Sequence, residues 1–314
     1  NQKAGDVNPQ TGNITLAFTD VSLPGRAGMD FTFSRIWSLN RSNVFAMGRN
    51  PLDGLNHITS DTIEQYNNMG VGWSTNIPFI FEDGSPGLEE EVLSLFFGGN
   101  VYELKESTLT VDNGDNSNIR GYDLADLRVL QKQEISYADY NSGIMPVDER
   151  ITDTIAGENK YVLILKDNSK YYFREDGKLM MMQDKTGLNK IWYFYQEYEE
   201  NTQDKTRLVI VVDTIGREIS FNYNSDNNLE SIVWSVDVGQ KNELGERSYT
   251  SQERSVSYSY VNAADTFTET GSLAGQVVGI NNTPYCLVDV TDSQGNVTAY
   301  TYEEGLAGFS YDTA

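Results

Sequence analysis

A short phrase occurs three times in this chain of 314 residues: DKTGLNKIWYF from Asp184, DTIGREISFNY from Asp213 and DSQGNVTAYTY from Asp292. Each copy has Asp, then Gly three residues on, then aromatics eight and ten residues after the Asp. The aromatic pairs are Trp192 and Phe194, Phe221 and Tyr223, Tyr300 and Tyr302. Asp opening a tight turn accepts the backbone N–H two residues later. A glycine at the fourth position (Gly187, Gly216, Gly295) takes the positive φ that returns the chain to an extended path. Two residues along a strand lead back to the same face, about 6.6–6.8 Å further on. The phrase therefore predicts a turn and then a strand with an aromatic ladder on one face. A repeated unit of this kind points to an extended scaffold more than to an active site.

Elsewhere the hydrophobic pattern alternates with a period of two. Ile14, Leu16 and Phe18 share one face, as do Phe31, Phe33 and Arg35, and Val256, Tyr258 and Tyr260. KYVLILKDNSKYYFREDGKLMMMQD reads as strands about a loop at Asp167–Ser169 and a turn at Asp176 and Gly177. The helical candidates, GLEEEVLSLFFGG and YDLADLRVL, are weak. The expected fold class is all-β, a large antiparallel meander of successive hairpins. Three regions separate by composition: 1–105 with long strands and much irregularity, a polar connecting segment 106–156, and 157–314 with the turn-and-aromatic units. DVGQKNELGERSYTSQERS reads as a polar insertion at a hairpin tip.

Nineteen Tyr and thirteen Phe suit half-buried sheets. A net charge of −23 repels phosphate backbones and anionic lipid, so nucleic acid and membrane-surface partners are disfavoured. No apolar run is long enough to cross a bilayer as a helix, so membrane insertion is not expected. Cys286 is the single cysteine, which excludes an intrachain disulfide and a Cys-based zinc site. NQKAGDVNPQ reads like a start in mid-protein, and the chain is expected to be part of something longer.

The units resemble the YD repeats of the RHS family, whose consensus joins a D-x-x-G turn to a Tyr-rich strand. FREDGKL leading into DKTG is similar to the junction between successive repeats. VNPQTGNITLAFTDVSLPGRAGMDFTFSRIW is similar to the segment that opens many bacterial RHS proteins, and GVGWSTNIP resembles the stretch that follows it. The resemblance covers most of 1–104 and 157–314. It implies the start of a β-sheet shell that encloses or presents a C-terminal effector not contained in this chain. It also implies a secreted or bacterial cell-surface location, with the downstream repeats and effector of the same parent protein as partners. The family's C-terminal core motif is not in the sequence, so self-cleavage and toxin activity do not carry over.

The catalytic signals are thin. The lone histidine, His57, has no nucleophile motif near it. Carboxylates are so abundant, with Glu89–Glu91 in a row, that a glycoside-hydrolase pair has no specific signal, and Asp184, Asp213 and Asp292 already have turns to build. No enzyme activity and no cofactor are expected. VDNGDNSN offers Asp112 and Asp115, with neighbouring Asn side chains, as a weak calcium candidate without EF-hand spacing. PGRAG around Arg26 reads as a plain turn. The alternative to a scaffold is a surface module that holds cell-wall or host glycans on aromatic platforms. Trp37, Trp73 and Trp234 are its candidate contacts, and it requires them to be exposed beside carboxylates or amides.

Overall fold

The computed structural model describes residues 6–7, 14–38, 68–70, 72–83, 92–98, 100–106, 111–112, 118–124, 127–140, 151, 157–200, 203–241, 247–262 and 285–300. Every strand pairing among them is antiparallel, and the only helical pieces are two short 3-10 turns, at Arg26–Gly28 and Tyr137–Asp139. The fold is all-β. Strands β1 (Asp6–Val7), β2 (Ile14–Leu23), β3 (Phe31–Ser38) and β4 (Trp73–Thr75) form a four-stranded sheet in chain order. Strands β5 (Phe79–Asp83), β6 (Val92–Phe97) and β7 (Asn100–Glu103) form a three-stranded one.

The third sheet has 14 strands. It comprises β8 (Lys105–Glu106), β9 (Val111–Asp112), β10 (Asn118–Leu124), β11 (Leu127–Gln131), β12 (Asn159–Ile164), β13 (Lys170–Arg174) and β14 (Leu179–Gln183). It continues through β15 (Lys190–Glu200), β16 (Gln203–Val212), β17 (Glu218–Tyr223), β18 (Leu229–Lys241), β19 (Arg247–Asn262), β20 (Tyr285–Thr291) and β21 (Val297–Ala299). From β10 to β21 each strand pairs with the next, while β8 and β9 share the outer edge of β10. This is the expected meander, but it begins before the aromatic units do: β10 and β11, from the polar middle, are already part of it. Where they are described, both helical candidates are strands: Val92–Phe97 is β6, and in the second Leu124 of β10 pairs with Leu127 of β11.

The turn predicted for the repeated phrase recurs more widely. At Leu165–Asn168, Arg174–Gly177, Asp184–Gly187, Asp213–Gly216, Asn224–Asn227 and Asp292–Gly295, the fourth residue's N–H bonds to the first residue's carbonyl at 2.9–3.1 Å. The fourth residue always has positive φ, between 61° and 86°. This is a type I turn closed by a left-handed residue. Asparagine at 168 and 227 replaces glycine because its short amide tolerates that region.

The main core lies between one face of the 14-stranded sheet and the N-terminal strands. Phe31 and Phe33 of β3, Ile80 of β5 and Leu95 of β6 pack there with Tyr193, Tyr195, Phe221, Ile232, Val256 and Leu287. Several backbone contacts tie the layers. Ile80 N–H bonds to the Gly177 carbonyl at 2.8 Å, and a Cβ at 177 would lie 1.8 Å from the Ile80 oxygen, so only glycine fits. Arg26 N–H bonds to Thr214 Oγ1 at 2.7 Å, and Leu229 N–H to the Asn68 carbonyl at 2.8 Å. A second core on the opposite face is covered by Tyr137 and Tyr140, which pack on Trp192 and Phe194.

Candidate functional site

The three aspartates of the repeated phrase stand in turns between β14 and β15, β16 and β17, and β20 and β21. An even number of strands separates these turns, so all three fall at one end of the sheet, the first two about 9.6 Å apart and the last two about 19 Å apart. In each turn Oδ1 accepts the N–H two residues on: from Thr186 at 3.2 Å, Ile215 at 3.0 Å and Gln294 at 2.8 Å. A second backbone N–H follows, from Asn189, Arg217 or Asn296. Hydrogen bonds led by the Asn189 amide pull the Asp184 carboxyl down to about 2, and those from Asn296 lower Asp292. Carboxylates so satisfied hold a turn and are poorly suited to donate a proton.

The aromatic ladder does not run along one face. Trp192 and Phe194 belong to the second core, whereas Phe221 and Tyr300 pack in the first. The reason is one residue. The Asp213 and Asp292 N–H groups pair with carbonyls four residues on, at Arg217 and Asn296, but Asp184 pairs with Asn189, five residues on. The extra residue is Leu188, which is 85% exposed. One added residue reverses the parity of the following strand. Tyr193 and Tyr195, not Trp192 and Phe194, are therefore the equivalents of Phe221 and Tyr223.

That shift of one exposes a ladder which the spacing of the phrase concealed. Of the six register slips among the described strand pairs, four place an aromatic opposite a leucine: Phe173 and Leu179, Tyr195 and Leu208, Tyr223 and Leu229, Tyr260 and Leu287. Each tyrosine hydroxyl then donates to the leucine carbonyl of the preceding pair. Tyr195 reaches Leu179 at 2.8 Å, Tyr223 reaches Leu208 at 2.7 Å and Tyr260 reaches Leu229 at 2.8 Å. A bulge interrupts the backbone pairing locally, and the hydroxyl of the next unit meets the carbonyl there.

The tryptophans are not an exposed platform. Trp73 is 2% and Trp234 7% exposed, and half-buried Trp37 packs against the main core opposite Trp73. Trp73 instead joins Phe18, Tyr258 and Tyr300 around the guanidinium of Arg35, all with ring centroids within 5.9 Å of its Cζ. Arg35 donates to both oxygens of Asp20, at 2.5 and 3.0 Å, and to the Tyr300 hydroxyl at 3.0 Å; Tyr258 donates to Asp20 at 2.9 Å. Burial opposes the charge on Arg35, but the bonds and charge of Asp20 outweigh it and raise its pKa. The cage is a filled one. It clamps β2–β4 onto β19 and the end of β21, joining residues 265 positions apart.

One cavity of about 40 Å³ lies between Thr75–Phe79 and strands β14–β18, lined by Lys178, Tyr195, Phe221 and Tyr223 among others. It has room for a few waters and no more. The Lys178 ammonium donates to Thr206 Oγ1 at 2.7 Å and to the Thr206 carbonyl, and Thr206 donates to Asp176 at 2.9 Å. Burial pushes Lys178 down to about 8, against the pull of Asp176.

His57, Glu89–Glu91, Asp115 and Tyr302 lie outside the described residues, as does the side chain of Asp112. Among the described residues, no cluster of three or more His, Cys, Asp or Glu is arranged to hold a metal ion. Cys286 is buried beside Leu287 in β20. No helix among the described residues is long and apolar enough to cross a membrane. No family model matches the chain, and no curated protein matches it.

Proposed function

We propose that this chain is a non-catalytic scaffold, an N-terminal segment of a secreted or surface-displayed YD-repeat protein of the RHS type. Its sheet walls off or presents an effector carried further along the parent polypeptide. The observation that carries this reading is the tyrosine–leucine ladder. A unit that repeats turn, bulge and hydroxyl-to-carbonyl bond across successive hairpins is a device for extending a curved sheet in one direction. The turn aspartates are committed to backbone N–H groups, and Arg35 fills the cage of Phe18, Trp73, Tyr258 and Tyr300, so these polar residues serve the architecture. The partners of such a scaffold are the further strands and the effector of the same protein. Its acidic field keeps nucleic acid and anionic lipid away.

The edge at β21 offers a direct test. Val297, Thr298 and Ala299 are all exposed, neutral and without proline, whereas the opposite edge is shared by the charged strands β8 and β9. Among the described residues no strand pairs with β21 on its outer side, and such an edge pairs with another strand. The protein is expected to self-associate with rising concentration in analytical ultracentrifugation, and Thr298→Lys to abolish this. A monomer at millimolar concentration, or association indifferent to the lysine, would remove the scaffold reading's main physical prediction.

A further inference from the structure

Among the described residues Lys178 is the one buried lysine, at 8% exposure. It stands where the turn between β13 and β14 meets β5, and it lines the cavity of about 40 Å³ beside Thr75–Phe79. Its ammonium reaches past β15 to Thr206 of β16, donating to Oγ1 at 2.7 Å and to the backbone carbonyl. Burial brings its pKa down to about 8; Asp176 opposes the fall, and Arg174 and Lys205 add to it. A lysine so placed ties the turn to β16. Three features exceed what a tie needs.

The first is space, since the cavity that Lys178 lines has room for about three water-sized groups. The second is charge. Arg174 and Lys205 press on an ammonium here, and the same two cations favour an anion on that nitrogen. The third is an orphaned donor. Arg174 Nε donates to Asp176 Oδ1 at 3.2 Å, but its Nη1 is buried with no hydrogen-bond partner. Arg174 and Lys178 stand over the same ring, with Cζ 5.2 Å and Nζ 5.9 Å from the Tyr195 centroid. A buried donor without an acceptor is rare in folded proteins, and it points to an acceptor that the described chain does not supply.

We propose that Lys178 Nζ is a carbon dioxide site, where the amine is converted reversibly to a carbamate. The lone pair of the neutral amine forms an N–C bond to carbon dioxide, and one C–O π pair moves onto oxygen. A nitrogen proton passes to solvent water, leaving N–H and a carboxylate. The remaining N–H keeps its bond to the Thr206 carbonyl. The added group has three heavy atoms, which the cavity accommodates, and it replaces a cation by an anion beside Arg174 and Lys205. Carbon dioxide is small and uncharged, so it enters a site walled by Phe79, Leu208 and Phe221 that excludes bulkier electrophiles. An exposed lysine, of pKa about 10.4, is almost wholly protonated at the pH where this amine is half neutral and so does not compete. The inference is independent of the scaffold reading, which stands on the turns and the ladder.

The test equilibrates the full chain with carbon-13 bicarbonate at pH 8, traps carbamates with triethyloxonium and maps the peptides by mass spectrometry. An ethyl carbamate is expected on Lys178. In untrapped protein a carbon-13 carbamate resonance should appear, vanish in Lys178→Met, and fall about tenfold or more between pH 8 and pH 6 at fixed carbon dioxide pressure. Bicarbonate, against chloride at equal ionic strength, should raise the melting temperature of the parent protein and leave that of Lys178→Met unmoved. Trapping on the parent protein decides the matter even if the variant does not fold. Label confined to the α-amino group or to other lysines, or no label at all, would overturn the site.

Discussion

Two buried polar residues carry energetic weight out of proportion to their signal in the sequence. Asn159, 2% exposed, sits where β12 slips register against β13. Its Oδ1 accepts the N–H groups of Glu134 and Ile135, at 2.8 and 2.7 Å, and its Nδ2 donates to the Lys132 carbonyl at 2.7 Å. It thereby pins the segment that brings Tyr137 onto Phe194. Asn159→Ala leaves these groups unpaired and should cost about 3 kcal/mol in urea unfolding. Lys178 has the opposite sign. Its folded pKa, about 8, lies below its value of 10.5 in an exposed setting. Below pH 8 both states are protonated and the folded one bears the full cost of a buried ammonium. Between 8 and 10.5 the unfolded chain holds the extra proton, so stability rises with pH. Unfolding at pH 7 to 10 should show a gain of about 2–3 kcal/mol that Lys178→Met removes. A flat profile in the parent protein would refute the assignment.

At the scale of the element, parity is the governing variable. The single extra residue after Gly187 turns Trp192 and Phe194 to one face and Tyr193 and Tyr195 to the other, and both faces are buried there. Leu188→Ser touches only an exposed side chain and should change stability by less than about 0.5 kcal/mol. Deleting Leu188 would give this turn the length of the Asp213 turn and set every residue of β15 against the wrong core. Loss of the cooperative transition is expected on deletion; a variant that still melts sharply would show that the register is set elsewhere. The meander, the turn at Asp213 and the hairpin at Asp167 were all legible, because turn chemistry and alternation are local properties. The ladder was not, since it links residues on neighbouring hairpins and becomes visible only once the register is known.

At the scale of the whole molecule, the N-terminal strands are one wall of the main core. The Arg35 cage is their distal clamp, reaching Tyr258 and Tyr300 from β3. Arg35→Met leaves the Asp20 carboxylate buried without its cation and should cost about 3–5 kcal/mol. Native-state hydrogen exchange should localise the loss, with faster exchange in β19 and β20 and little change in β12 and β13. Uniform acceleration would mean that the sheet opens as one unit. By itself the sequence determined the fold class, the turns and the strand pattern, because backbone preference and two-residue periodicity are written in neighbouring residues. Only the tertiary structure decided which aromatics are core and which are free. It buried Trp73 and Trp234, set Arg35 among Phe18, Trp73, Tyr258 and Tyr300 and left Tyr249 open, because burial depends on what the folded chain lays against a residue and not on the residue itself.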